Sequence, residues 1–329
     1  MNTINTEKYS ETLRKKAIDI ENKKILITNY SGSLQEKDLT DPANCNGFGR
    51  IRHFKISSSK DWPENPLPII PAQKYLGTSY SEQIKAQIFQ NSVCNWRCWY
   101  CFVDFNLLAG NTKYSSFLSC DELLNLYLQE KERPLMIDLS GGQPDLTPEW
   151  IPWMMESLES KGLADKIFLW SDDNLSNDYF WRYLTDDHIN RILSYKMYAR
   201  VCCFKGIDEM SFALNTTADR SLFHKQFDLF KRLWDLKIDL YGYITLTAPS
   251  TTNFAKVIPE FLDRIQKIDE KTPLKIVPLQ IFEFTPVMSR KMVDHKDMLL
   301  GQMKAVEVWQ AELQKRFTEA QRRIPISNI

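Results

Sequence analysis

Eight residues, Cys94-Asn95-Trp96-Arg97-Cys98-Trp99-Tyr100-Cys101, constrain this chain more than any other stretch. Three of its seven cysteines fall there, spaced C-x3-C-x2-C, directly after an apolar run ending at Val93. A loop this tight can turn three thiolates toward one cuboidal iron–sulfur cluster. It has no fourth cysteine nearby, whereas electron-transfer clusters are usually held by four. Two plainer readings compete. A structural zinc site needs a fourth ligand, commonly from a second, separated pair. That ligand would come from Cys45, Cys120, Cys202, Cys203 or one of the four histidines. Three buried thiols packed as small hydrophobes are the other reading, and polar Asn95 and Arg97 between the cysteines argue against it.

Hydrophobic residues make up 43% of the 329 and charged residues 26%, an ordinary globular balance with material for a sizeable core. Acidic and basic residues are equal at 42 each, so no global field recruits a nucleic acid, and a nucleic-acid partner is disfavoured. No apolar run is long enough to span a bilayer, and no membrane partner is expected. The first 21 residues lack the apolar stretch of a secretory signal. Clustered cysteines suit a reducing compartment better than a disulfide framework, so a cytoplasmic protein is expected.

Residues 1–80 read as an irregular N-terminal extension and a candidate lid. A weak helical pattern over 7–22 and a short strand at 24–28 precede turn signals and Pro63, Pro66, Pro68 and Pro71. Arg50 and Arg52 follow a flexible Asn46-Gly47 turn. They suit closure over a substrate, but a surface turn leading into a strand, with Cys45 buried, is the favoured reading. From residue 81 onward apolar runs alternate with helical stretches. Strands are expected at 86–93, 135–139, 166–170, 199–204, 238–246 and 274–284, and a C-terminal helical segment over 291–329. Alternation of this kind argues for a parallel sheet with helices outside. Periodicity alone allows an open doubly wound sheet as well as a barrel.

In such folds ligands collect at the carboxyl ends of strands, and the notable polar residues fall there. Gly141-Gly142-Gln143-Pro144 closes the second strand, Ser171-Asp172-Asp173-Asn174 the third and Lys205-Gly206 the fourth, while Val277-Pro278-Leu279 lies on the sixth. Cys202 and Cys203 alternate across a strand and read as core rather than ligands.

The cysteine spacing, with Tyr100 just before the last cysteine, resembles the signature loop of the radical S-adenosylmethionine (SAM) enzymes. Gly141–Pro144 resembles their GGEP-type motif, with Gln in place of Glu. The resemblance implies an α/β fold, a partial (β/α)6 TIM-like barrel over 81–290. It implies a [4Fe-4S] cluster on Cys94, Cys98 and Cys101, and SAM as the second cofactor. Tyr100, Gly141, Gly142, Gln143, Pro144, Ser171, Asp172, Asn174, Lys205, Val277 and Leu279 are the candidate cofactor contacts. In that family, reductive cleavage of SAM yields a radical that takes hydrogen from a substrate. A flavodoxin or ferredoxin-type reductant is implied as a partner. The substrate is expected to be a small molecule or nucleotide. Activation of a partner protein, and a non-catalytic metal-binding role, are the alternatives.

Overall fold

The computed structural model describes residues 3–329. Among the described residues there are ten strands: β1 (Ile18–Asp19), β2 (Lys24–Thr28), β3 (Gly49–Lys55), β4 (Gln83–Gln90), β5 (Ser115–Ser119), β6 (Met136–Ser140), β7 (Phe168–Asp173), β8 (Tyr198–Phe204), β9 (Leu240–Thr245) and β10 (Ile276–Leu279). The helices that matter here are α1 (Thr6–Ala17), α2 (Ile69–Leu76), α3 (Cys120–Gln129), α4 (Trp150–Ser160), α5 (Tyr179–Tyr183), α6 (Asp186–Ser194), α7 (Glu209–Thr216), α8 (Leu222–Asp235), α9 (Phe254–Gln266), α10 (Thr285–Met288) and α11 (Val293–Arg316).

Six strands run parallel in the order β10-β9-β8-β7-β6-β4, and β3 adds antiparallel at the β4 edge. The order never reverses. Right-handed crossovers therefore put every connecting helix on the same face, and the sheet curls into the expected partial (β/α)6 barrel. Period two then sorts the strand side chains. Phe89, Leu139, Leu169, Phe204 and Ile244 face the helices and join the main core. Ala86, Ile88, Met136, Phe168, Trp170, Ala199, Val201, Tyr241 and Val277 face the concave side and form a second cluster at its floor.

The helices form where apolar spacing and caps agree. Ser119 and Glu122 make a capping box at the start of α3. Phe223, Phe227, Phe230 and Leu233 line one face of α8, and Phe227 and Phe230 meet Phe204 of β8. Helices α6 and α7 lie where the sequence reading places no element.

The first 80 residues combine loops with regular structure. Strand β2 pairs with β1 and β5 in a small separate sheet, and β3 extends the main one. Residues 56–67 then cross from β3 toward β9 and β10. Trp62 Nε1 donates to the Pro278 carbonyl at 3.1 Å, Tyr243 Oη to the Leu67 carbonyl at 3.0 Å, and Ser58 Oγ to Gln280 Oε1 at 2.8 Å. This segment spans the gap that a half-barrel leaves between its edges. Pro278 sits on edge strand β10, where a missing N–H is tolerated. Cys45 is buried in a short turn before β3.

Candidate active site

The cysteine loop leaves the end of β4 and is pinned from several sides. Asn95 is fully buried. Its Nδ2 donates to Ser10 Oγ of α1 at 2.8 Å and to Ser176 Oγ at 2.7 Å. Trp96 Nε1 donates to Thr6 Oγ1 at 3.2 Å. The backbone N–H groups of Arg97 and Trp99 donate to the Thr216 and Asn215 carbonyls at 3.1 and 3.2 Å. Trp99 stacks on His295 of α11, ring centroids 4.2 Å apart. The polar residues between the cysteines are therefore anchors, and Trp96 and Trp99 hold the loop to α1, α7 and α11.

Cys94 and Cys98 are 8% and 9% exposed, and Cys101 is half-buried. All three thiols are free. Burial pushes the Cys94 thiol up and the Cys98 thiol up to about 12, with Lys205 opposing in both. Burial alone would lower Lys205, but Cys203, Tyr100, Cys98 and Cys101 outweigh it and hold the ammonium charged. Among the described residues no three His, Cys, Asp or Glu side chains, these thiols included, are arranged to hold a single metal ion. The donor set suits a larger, soft-liganded group, and buried polar atoms without hydrogen-bond partners lie beside it. Arg290 Nη2 donates to the Cys101 and Val103 carbonyls, while its Nε and Nη1 have none. Asn174 Nδ2 reaches Cys94 Sγ at 3.7 Å, and its Oδ1 is unpartnered.

The Gly141–Pro144 turn follows β6 and packs against the start of the cysteine loop. Both glycines have positive φ, +67° and +59°. A Cβ on Gly142 would stand 2.3 Å from the Val93 carbonyl oxygen and 2.4 Å from that of Asn91. Gly142 thus admits the backbone entering the cysteine loop, Gly141 admits the Gln90 side chain, and Gln143 N–H donates to the Val93 carbonyl at 2.7 Å. Gln143 is fully buried. Its Nε2 donates to Asp173 Oδ1 at 2.8 Å, and its Oε1 accepts from the Asn174 N–H at 2.9 Å. Pro144 is buried and opens a 3-10 turn. Asp173 also accepts from the Leu175 N–H at 2.9 Å and pairs with Arg200 at 3.0 Å. Arg200 is shared with Asp145, whose pKa burial raises to about 7 against the pull of Arg200.

Ser171 shares this outer face, hydrogen-bonded to Tyr198 Oη at 2.7 Å, and does not reach the concave side. Gly242 likewise faces outward, where a Cβ would stand 2.8 Å from Ile276 Cγ1. Asp172 is one residue away and points into the barrel, accepting from Ser140 Oγ. Cys202 and Cys203 do fall on opposite faces, Cys202 beside Asp173 at 3.9 Å and Cys203 in the barrel.

Above the apolar floor, the concave face carries a polar layer. Register aligns Arg50, Ile88, Asp138 and Trp170 in one row. Arg52, Asp172, Cys203, Lys205 and Tyr243 share that face and are each half-buried. Nearer the cysteine loop, Tyr100 Oη lies 3.2 Å from Thr245 Oγ1. Thr245 pairs in register with Leu279, and Val277 lies two residues deeper. Burial, then Asp172, raises the Asp138 carboxyl well above the usual range. Burial also raises Asp172, opposed by Ser140, Arg52 and Lys205. The sequence reading singled out neither Asp138 nor Tyr243. An acid inside the apolar run 135–139 was the available signal. A hollow of about 610 Å³ beside Glu159, Asp187 and Arg191 holds none of these groups.

No family model and no curated protein matches the chain. Among solved structures it is similar to Streptococcus suis SuiB bound to S-adenosylmethionine, with 16% identity and a TM-score of 0.38 over 55% of this chain and 37% of that one. It is also similar to anSMEcpe with bound AdoMet, with 18% identity and a TM-score of 0.38 over 58% of this chain and 48% of that one. The chain thus spans less than half the length of either.

Proposed function

We propose that this chain is a radical SAM enzyme acting on a small substrate. The observation that carries the reading is a single loop bearing three free thiols that leaves the carboxyl end of β4 in a curled parallel sheet. Cys94, Cys98 and Cys101 would hold a [4Fe-4S] cluster, leaving one iron open to SAM. Such a cluster, when bound, supplies the electron that cleaves SAM to a 5′-deoxyadenosyl radical, and a flavodoxin or ferredoxin-type protein would recharge it.

The chain's own residues position and enclose. Lys205 places a fixed positive charge between the loop and the barrel, suited to the SAM carboxylate. Asn174 offers its free Oδ1 beside Cys94, and Tyr100, Thr245 and Leu279 form the wall nearest the loop. Asp172 offers a carboxyl within the barrel for a ribose hydroxyl. Gly141, Gly142 and Gln143 shape the loop's entry. Val277 belongs to the floor. Residues 56–67 close the side of the barrel, which favours a small substrate over a docked partner protein.

Anaerobic reconstitution of the full chain tests this. About four irons per chain are expected, with an electron paramagnetic resonance signal of the reduced cluster that changes on adding SAM. Stoichiometric zinc, or a spectrum indifferent to SAM, would overturn it.

A further inference from the structure

Two guanidiniums stand in the barrel without an ion pair among the described residues. Arg50 is 7% exposed, and its Nε and Nη2 bond to nothing. Its carbon Cζ lies 5.3 Å from the ring centroid of Phe102, the residue after Cys101. Arg52 lies two residues along the same strand face. Among the described residues it makes no ion pair or side-chain hydrogen bond, and burial and the charge of Arg50 both act to lower its pKa. Asp138, 1% exposed, has an unpartnered Oδ1 in the same layer.

Side-by-side arginines taken from water are costly unless an anion engages them. Among the described residues the nearby carboxylates feel the arginines' charge but form no ion pair with them: Asp172 is engaged by Ser140, and Asp138 Oδ1 has no hydrogen-bond partner. A bare phosphate would satisfy the arginines but meet two acids. A carboxylate carried with an ammonium group answers both signs at once.

We infer that the barrel binds a small zwitterion of the amino-acid type, its carboxylate on Arg52 and Arg50 and its ammonium toward Asp138 and Asp172. This rests on the radical SAM reading for its role as substrate. The site takes its arginines from β3, the antiparallel strand, and not from the parallel barrel. Lys205, set between the thiols and this layer, remains for the cosubstrate.

The test is calorimetric titration of the reconstituted full chain, saturated with SAM, against each of the twenty common L-amino acids, inorganic phosphate and AMP. At least one amino acid should bind the natural chain. Arg52→Gln should weaken it tenfold or more, and Arg52→Lys by less, because lysine keeps the charge without the fork. SAM affinity should stay within threefold in both. Melting curves identify a misfolded variant, and Arg50→Lys then provides the same comparison. Three results would overturn the inference: no amino acid binds; phosphate or AMP binds through Arg52 while amino acids do not; or Arg52→Gln loses SAM itself, which would assign the arginines to the cosubstrate. Failure of the natural chain to assemble iron or bind SAM would defeat the enzyme reading instead, leaving the amino-acid titration interpretable on its own.

Discussion

Gln143→Glu isolates what this chain gains from its departure at the Gly-Gly-Gln-Pro turn. In the structure the Gln143 amide donates to Asp173 Oδ1 at 2.8 Å. A glutamate there would bring two carboxylate oxygens to that distance in a site sealed from water. At an effective dielectric of about 20 the repulsion is roughly 6 kcal/mol. The protein has a cheaper alternative, which is to protonate the introduced carboxyl and let it donate the bond the amide made. Holding a proton at pH 7 on a group that ionises near 4.3 when unfolded costs about 3.7 kcal/mol. The smaller figure sets the expected loss, about 4 kcal/mol or slightly less at pH 7. The sign follows from linkage. The folded-state pKa of the introduced carboxyl lies above its unfolded value, so the penalty is absent below about pH 4 and grows by about 1.4 kcal/mol per pH unit above that. Urea unfolding of the natural chain and the variant at pH 5, 6 and 7 reads this directly. About 1 kcal/mol should separate them at pH 5. A difference that does not change with pH, or one under about 0.5 kcal/mol at pH 7, would refute the account of Gln143 as the donor to Asp173.

Gly142→Val should cost more than a turn glycine usually does. It forces a left-handed backbone on valine and drives Cβ into the Val93 and Asn91 carbonyls. Loss of cooperative melting and of bound iron should come together, and a folded, iron-loaded variant would contradict the placement of this turn. Arg290→Ala removes the donor to the Cys101 and Val103 carbonyls and the guanidinium lying 3.9 Å over Phe105. A loss of about 1–3 kcal/mol is expected, with several-fold faster iron loss to a chelator. Unchanged stability and iron retention would show that this contact does not secure the loop.

Much of the architecture was legible because it rests on local pattern. The alternation of apolar runs and helical stretches located the six parallel strands within a few residues, and the cysteine spacing picked out the candidate loop. Period two put Cys202 and Cys203 on opposite faces. The same rule separates Ser171 from Asp172, but only the curl of the sheet decides which face becomes the interior. The sequence reading assigned both to the cofactor, whereas Ser171 bonds to Tyr198 outside. The glycines were half legible for a related reason. A Gly-Gly pair signals a close approach without naming what approaches, and here the Gln90 side chain meets Gly141 while the backbone at Asn91 and Val93 meets Gly142. Least legible were the long-range anchors. Helix α1 fixes the cysteine loop through Asn95 and Ser10, 85 residues apart, and β3 pairs with β4 from Gly49 to Phe89. Such partnerships leave no mark in local propensity. Arg50 and Arg52 were visible as arginines near a turn, but their meeting with Asp138 exists only in the folded sheet.

The central claim is that three thiols on one loop equip this barrel to cleave SAM. The most direct measurement is 5′-deoxyadenosine formation by the anaerobically reconstituted chain with dithionite and SAM, run beside Cys98→Ala and Cys120→Ala. Cys120 is buried against the Trp150 carbonyl, away from the loop. The natural chain and Cys120→Ala should both release 5′-deoxyadenosine, while Cys98→Ala should lose most of its iron and form none. Product formation by Cys98→Ala at the natural rate, or none by an iron-loaded natural chain, would contradict it.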